Sequence, residues 1–274
     1  EITALSDGTV PFPMDKLLTN TTPAKIAAAF KKYYVTNPVE TSVNVYLINT
    51  GTKLVMVDTG AAGLFGPTLG NLITNLKASG YEPEQIDEIY ITHMHGDHVG
   101  GLMAGDKLAF PNAIVRGDQH DADFWLSEAN MNKAAEGDKG GFKSAMASIN
   151  PYIKVGKYKP FSGNTELVPG VSALVRIGHT PGHATYVVES KGEKLELWGD
   201  LMHVAALQFD NPSVTIKFDS DNKAAAQQRK QAYAAAAKSG TLVGATHISF
   251  PGLGRLRASG SGYIWVPINY TPIR

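Results

Sequence analysis

Thr92-His93-Met94-His95-Gly96-Asp97-His98 sets three histidines and one aspartate within six residues, directly after Glu88-Ile89-Tyr90-Ile91. The leading run is β-branched and aromatic and reads as a short strand that ends in a turn. The chain has eight histidines in 274 residues, so chance would produce this pattern with a probability on the order of a few in ten thousand, and the false-positive risk of a short motif is small. A strand has a side-chain period of two, so His93 and His95 leave on one side, while the turn at Gly96 swings Asp97 and His98 the other way. One loop can thus face two metal ions. There is no cysteine, and imidazole with carboxylate but without thiolate suits zinc and other first-row divalent ions.

Working outward, other candidate ligands also stand where strands end. Ser42 to Asp58 holds two apolar runs split by Asn49-Thr50-Gly51-Thr52 and reads as a hairpin. Gly178-His179-Thr180-Pro181-Gly182-His183 follows the strand candidate Leu174 to Ile177. Gly199-Asp200 closes Leu195 to Trp198, and His247 closes Thr241 to Thr246. Strand ends aim side chains better than free loops do, which suits a site built along one rim of a sandwich. Between them, Pro67 opens a helix with Leu69, Leu72, Ile73 and Leu76 on one face and Gly80 as its stop. Asp118 to Ala129 and Phe142 to Ile149 read as helices, with Asn130 to Gly141 as a mobile excursion between them. Lys223 to Lys238 reads as a helix with Asp219, Ser220 or Asp221 as cap. Glu1 to Leu5 reads as strand from the outset, which suggests a trimmed or mature terminus. Two β-rich halves flanked by helices predict a layered α+β sandwich and not an alternating parallel sheet.

The composition is that of a folding chain: 43% hydrophobic, 18% charged, 9% aromatic. Its length is near the ceiling for one packed core, so residues 1–274 are expected to form a single domain. Twenty-five Lys+Arg balance 25 Asp+Glu, which disfavours nucleic acid as a partner, and no apolar run reaches the roughly 18 residues a membrane helix needs. His120 reads as a surface histidine.

On these residues the chain resembles the metallo-β-lactamase fold superfamily, whose HxHxDH signature is intact. The runs VDTGAAGLFGPTLG, THMHGDHVGGL, FWLS, GHTPGH, GDL and HISFPG together resemble the branch of methyl parathion hydrolase and its lactonase-like relatives. The resemblance implies a four-layer αββα sandwich with the metal site at one rim. It implies one divalent ion held by His93, His95 and His179, a second held by Asp97, His98 and His247, and Asp200 bridging both, with zinc the first candidate. Asp97 and Asp200 become the catalytic carboxylates around an activated water, and Asp58 and His183 stand behind the ligands. The resemblance also implies a homodimer and a periplasmic or secreted protein.

Phe65, Trp125, Phe142, His203 and Phe218 are expected to line the substrate pocket, with Phe209 a further candidate. An aromatic wall suits a flat leaving group, and no Lys or Arg abuts the ligand motifs. Small neutral aryl phosphotriesters, aromatic lactones and aryl esters fit such a pocket. In the methyl parathion hydrolases the positions of His203 and Phe218 are aliphatic, and the loop before Phe142 is a residue longer, so this bulkier, more polar wall raises an aromatic lactone of the dihydrocoumarin type. The rival readings are a hydroxyacylglutathione-type thioesterase, which shares the seven ligands, a di-iron redox protein and a non-catalytic metal-binding module of the same fold.

Overall fold

The computed structural model describes residues 1–269. Its first sheet has the order β1-β2-β3-β4-β5, formed by β1 (Ile2–Phe12), β2 (Val39–Asn49), β3 (Leu54–Val57), β4 (Glu88–Tyr90) and β5 (Ile114–Arg116). The hairpin expected from Ser42 to Asp58 is β2 and β3, antiparallel with Tyr46 opposite Val57. Beyond it the strands turn parallel, β3 to β4 and β4 to β5. The second sheet comprises β6 (Thr165–Val168), β7 (Val171–Val175), β8 (Ala184–Ser190), β9 (Glu193–Leu197), β10 (Leu242–Gly244), β11 (Leu253–Ser259) and β12 (Gly262–Pro267). They run in the order β12-β11-β10-β9-β8-β7-β6. The closing hairpin β11–β12 had no counterpart in the sequence reading.

The two sheets face each other across a core of Tyr46, Val55, Val57 and Tyr90 from the first and Val171, Ala173, Tyr186 and Leu197 from the second. The other face of the first sheet packs Val45, Leu47, Met56 and Ile89 against Leu72 and Leu76 of α1 (Leu72–Ala78), Trp125 of α2 (Gln119–Trp125) and Phe142 and Ile149 of a longer helix. The outer face of the second sheet is covered by α5 (Asn222–Ser239), where Tyr233 stacks on Trp198 with ring centroids 5.2 Å apart. Helix, sheet, sheet and helix make the four layers.

Local departures from expectation have identifiable causes. The helix after Pro67 begins only at Leu72, because a bulge in β1 turns the buried Asp7 carboxylate onto the N–H groups of Ala61 (2.8 Å) and Leu72 (3.1 Å). That carboxylate starts α1 and fixes the loop carrying Phe65. The stretch Asp118 to Ala129 breaks in two: Asp118 caps α2 and Ser127 caps α3 (Glu128–Lys133). The excursion Asn130 to Gly141 is therefore largely helical. It includes the end of α3 and the start of α4 (Lys139–Lys154), and α3 buries no side chain. Asp221 is the cap of α5, and Gly240 closes it at φ +67°, the left-handed conformation that glycine adopts freely.

Candidate functional site

The histidine run leaves β4 at Tyr90 and is held at its root by Asp58. Asp58 has φ +62°, a left-handed position that Asp tolerates better than most residues. Its Oδ1 accepts from Thr92 N at 2.7 Å and its Oδ2 from Thr92 Oγ1 at 2.8 Å. The same Oδ2 accepts from His98 Nδ1 at 2.8 Å. Asp58 thus fixes both the start of the loop and the ring that ends it.

His93, His95 and His179 converge. His93 Nε2 lies 3.0 Å from His95 Nδ1, His179 Nε2 lies 3.1 Å from His95 Nδ1, and the two Nε2 atoms are 3.2 Å apart. Asp200 reaches them through Oδ2, 3.2 Å from His179 Nε2 and 3.6 Å from His93 Nε2. Its Oδ1 faces a second group, 3.2 Å from His98 Nε2 and 3.1 Å from His247 Nε2, with Asp97 Oδ2 at 3.7 and 3.5 Å from the same two nitrogens. One carboxylate therefore touches both groups. Gly199 makes this placement possible: its φ is +55°, and a Cβ there would lie 2.8 Å from Thr92 Cβ and 2.9 Å from His183 Nε2. His183 accepts from Asp200 N at 3.0 Å, so it holds the backbone of that carboxylate and stands behind the convergent atoms.

The tautomers follow from the outer hydrogen bonds. The Nδ1–H of His98 donates to Asp58, that of His179 to Asp219 Oδ1 at 2.8 Å, that of His247 to Ser42 O at 2.8 Å, and that of His93 to Thr92 Oγ1 at 3.1 Å. Each leaves an Nε2 lone pair aimed at the centre. A tetrahedral ion with bonds of about 2.0–2.1 Å spaces its ligand atoms about 3.3 Å apart, and the three nitrogens sit at 3.0–3.2 Å. His98 Nε2 and Asp200 Oδ1 are buried without a hydrogen-bond partner. These atoms fit a pair of divalent cations. Burial holds His93 and His95 well below the usual imidazole range. Burial acts the same way on His98, yet Asp200, Asp97 and Asp58 together raise it well above that range. Asp200 is held well below the carboxylate range, because the surrounding histidines outweigh its burial.

All five expected pocket residues line one cavity of about 800 Å³ that opens onto His95, Asp97, Asp200 and His247. Phe65 and Phe218 are partly exposed at its mouth, and Trp125 sets its ring edge-on to His95 with centroids 5.1 Å apart. Phe209 is not in that wall: it stacks on Trp265 in the core beneath α5. Two cations that no motif adjoins, Lys133 and Lys217, do line the cavity. His203 is closer than a wall residue, with Nε2 3.1 Å from Asp200 Oδ2 and its ring stacked on His247. His120 is exposed, as expected.

Asp219, expected only as a possible helix cap, instead holds His179, 40 residues away. Sequence reading missed Arg229, fully buried on α5, whose guanidinium donates to the carbonyls of Leu201, Pro212 and Val214 and lies 4.0 Å from Asp219. The guanidinium thus ties the Asp200 turn to the segment carrying Phe218. Neither contact has a local sequence signal.

The family model described as the metallo-beta-lactamase superfamily matches residues 38–239. The chain belongs to this superfamily. Within it, the crystal structure of hydrolase AbOPH, described as in the beta lactamase superfamily, is 36% identical, with a TM-score of 0.93 over 99% of this chain and 95% of that one. AidC, described as a dizinc quorum-quenching lactonase, shares the fold at a TM-score of 0.86 and 24% identity over 99% of this chain and 95% of its own. An N-acyl homoserine lactonase of Bacillus sp is 29% identical over 165 residues, which is 53% of this chain and 58% of that protein. The chain thus spans a little over half the length of the curated lactonases it matches. Among the described residues, no helix is long and apolar enough to cross a membrane.

Proposed function

We propose that this chain is a metal-dependent hydrolase that opens small neutral aromatic lactones and aryl esters of the dihydrocoumarin type, with neutral aryl phosphotriesters of the methyl parathion type as slower substrates. In this reading His93, His95 and His179 hold one divalent ion, Asp97, His98 and His247 hold the other, and Asp200 serves both. The observation that carries it is the approach of three imidazole nitrogens to 3.0–3.2 Å with one carboxylate spanning to a second group. Two such ions, zinc first among the candidates, would supply Lewis acidity and water activated near neutral pH.

The chain's own residues do the rest. Asp58, Asp219, Ser42 and Thr92 keep the ring tautomers fixed, so the ligand lone pairs need no reorganisation. Asp97 is half-buried and faces the cavity, placed to accept a proton from the attacking water. Phe65, Trp125, Phe142 and Phe218 form a wall that takes up a flat ring and excludes water from the reacting carbonyl. A phenol-like leaving group needs little help from a general acid. His203 narrows the pocket beside Asp200, which favours a planar lactone over a tetrahedral phosphotriester.

Lys133 and Lys217 favour a second reading, a thioesterase acting on an anionic thioester. A parallel rate screen separates the two. Dihydrocoumarin and an aryl acetate are expected to give the highest kcat/KM, ahead of methyl parathion, paraoxon and an acyl-homoserine lactone. S-lactoylglutathione as the best substrate would replace the proposal with the thioesterase, and no turnover by a protein that carries two ions would remove both.

A further inference from the structure

Helix α2 carries a buried carboxylate that belongs to neither convergent group. Asp121 is 1% exposed in the first turn, and its two oxygens bind backbone N–H groups of two different loops. Oδ2 accepts from Met94 N at 2.9 Å, between His93 and His95. Oδ1 accepts from Gly182 N at 2.6 Å, in the turn running from His179 to His183. Both bonds are charge-assisted and shielded from water. The turn comes this close because residue 182 has no side chain; a Cβ there would meet Asp121 N at 2.5 Å and Asp118 Oδ1 at 2.6 Å. Asp118 caps the same helix through His120 N at 2.8 Å, so the carboxylate stands on a fixed end.

The three convergent nitrogens come from these two loops, and their spacing is the spacing of the loops. A second tie, Ala184 N to Thr92 O at 2.9 Å, joins the same segments just outside the histidines. Asp121 is the tie that lies within them. The second group is anchored elsewhere, His98 by Asp58 and His247 by Ser42 O.

We propose that Asp121 is a positioning residue that sets the separation of the two loops, and so tunes the cation affinity of the His93, His95 and His179 group while leaving the Asp97, His98 and His247 group nearly untouched. The proposal rests on reading the first group as a metal site. Asp121→Asn keeps the volume and one acceptor oxygen, and turns the other oxygen into an NH2 that faces a backbone N–H. Zinc is titrated into chelator-stripped wild type and variant in competition with a chromophoric chelator, with the visible spectrum of cobalt as second readout and thermal unfolding of the stripped proteins as control. In the variant one of two ions is expected to weaken about 10–100-fold and the other to stay within about threefold. The cobalt bands of the weakened site are expected to change. Both constants unchanged, or both weakened alike, would overturn the assignment of Asp121. A wild type that binds no zinc would instead sink the metal site itself. Should Asp121→Asn not fold, Asp121→Glu, with both oxygens on a longer stem, takes its place with the same selective weakening expected.

Discussion

Asp58→Asn is the cleanest probe of how the centre is held. The substitution conserves volume, and Asn accepts the left-handed backbone that Asp58 occupies at φ +62°. What changes is the hydrogen bonding. Asp58 accepts from Thr92 N, Thr92 Oγ1 and His98 Nδ1 at 2.7–2.8 Å. With the amide oxygen in the Oδ2 position, its NH2 opposes Thr92 N–H and that bond is lost. With the amide reversed, the NH2 faces His98 Nδ1, and the ring must move its proton to Nε2, 3.2 Å from Asp200 Oδ1. Either way, at least one charge-assisted bond worth about 1.5–3 kcal/mol disappears. Removing an outer partner of a ligating histidine weakens metal binding by about 10–100-fold, which is about 1.4–2.7 kcal/mol. For a chain of this size, a loss of about 2 kcal/mol lowers the unfolding midpoint by about 4–8 °C. Zinc competition titration reads the first quantity and calorimetry with and without chelator reads the second. An Asp58→Asn protein with both zinc constants and its midpoint unchanged would refute the claim that the outer hydrogen bonds set the lone-pair directions.

Three further outcomes follow from the same geometry. Asp200→Ala removes the carboxylate that lies 3.1–3.6 Å from five imidazoles, so metal content should fall at both groups and hydrolysis by more than the about 100-fold that outer partners command; wild-type turnover in this variant contradicts the shared role. Glu88 is buried, which pushes its carboxyl up, but Arg116 and Lys53 at 2.8 and 2.9 Å outweigh that and hold it below its ordinary 4.5. A folded value below the unfolded one adds stability above the unfolded value and loses it as pH falls through the folded one. Glu88→Gln should therefore be less stable than wild type at pH 7, by about 1 kcal/mol given the exposed Lys53, with the gap closing below about pH 4 in denaturant titrations; a gap independent of pH would disprove the ion-pair origin. His203→Leu removes the imidazole that bonds Asp200 and stacks on His247, and should shift the kcat/KM ratio from dihydrocoumarin towards methyl parathion; an unchanged ratio would exclude His203 from substrate choice.

The residues legible in the sequence are those whose signal is local. His93 to His98 declare themselves by density, and β2, β3 and α5 by periodicity and caps. The layered order followed because each apolar run was long enough to read alone. What stayed hidden depends on contacts between distant segments. Asp219 meets His179 across 40 residues and Arg229 meets Leu201 across 28, so neither leaves a pattern in any short window. The start of α1 was misplaced for the same reason, since its first N–H is satisfied from β1 and not by a preceding side chain. Lys133 and Lys217 reach the cavity although they adjoin no ligand motif. Phe209 is open to either reading, pocket or core, because an aromatic carries no mark of which side of a helix layer it will fill.

The two convergent groups draw on both sheets at this rim. His93, His95, Asp97 and His98 leave the first sheet after β4. His179 follows β7, Asp200 follows β9 and His247 follows β10, all of the second sheet. Each convergent group therefore takes side chains from both sheets, and neither is complete without the other half of the sandwich. Several buried imidazoles and two carboxylates brought this close are unfavourable unless their charges and lone pairs are matched. On the proposed reading a pair of cations would match them at once, and cation affinity would then add to fold stability. The outer partners, Asp58 on the first sheet's hairpin and Asp219 beside α5, are buried together with the histidines they hold. A partner that moved with solvent would let the two halves slide, and the spacing of about 3 Å on which the chemistry depends would be lost.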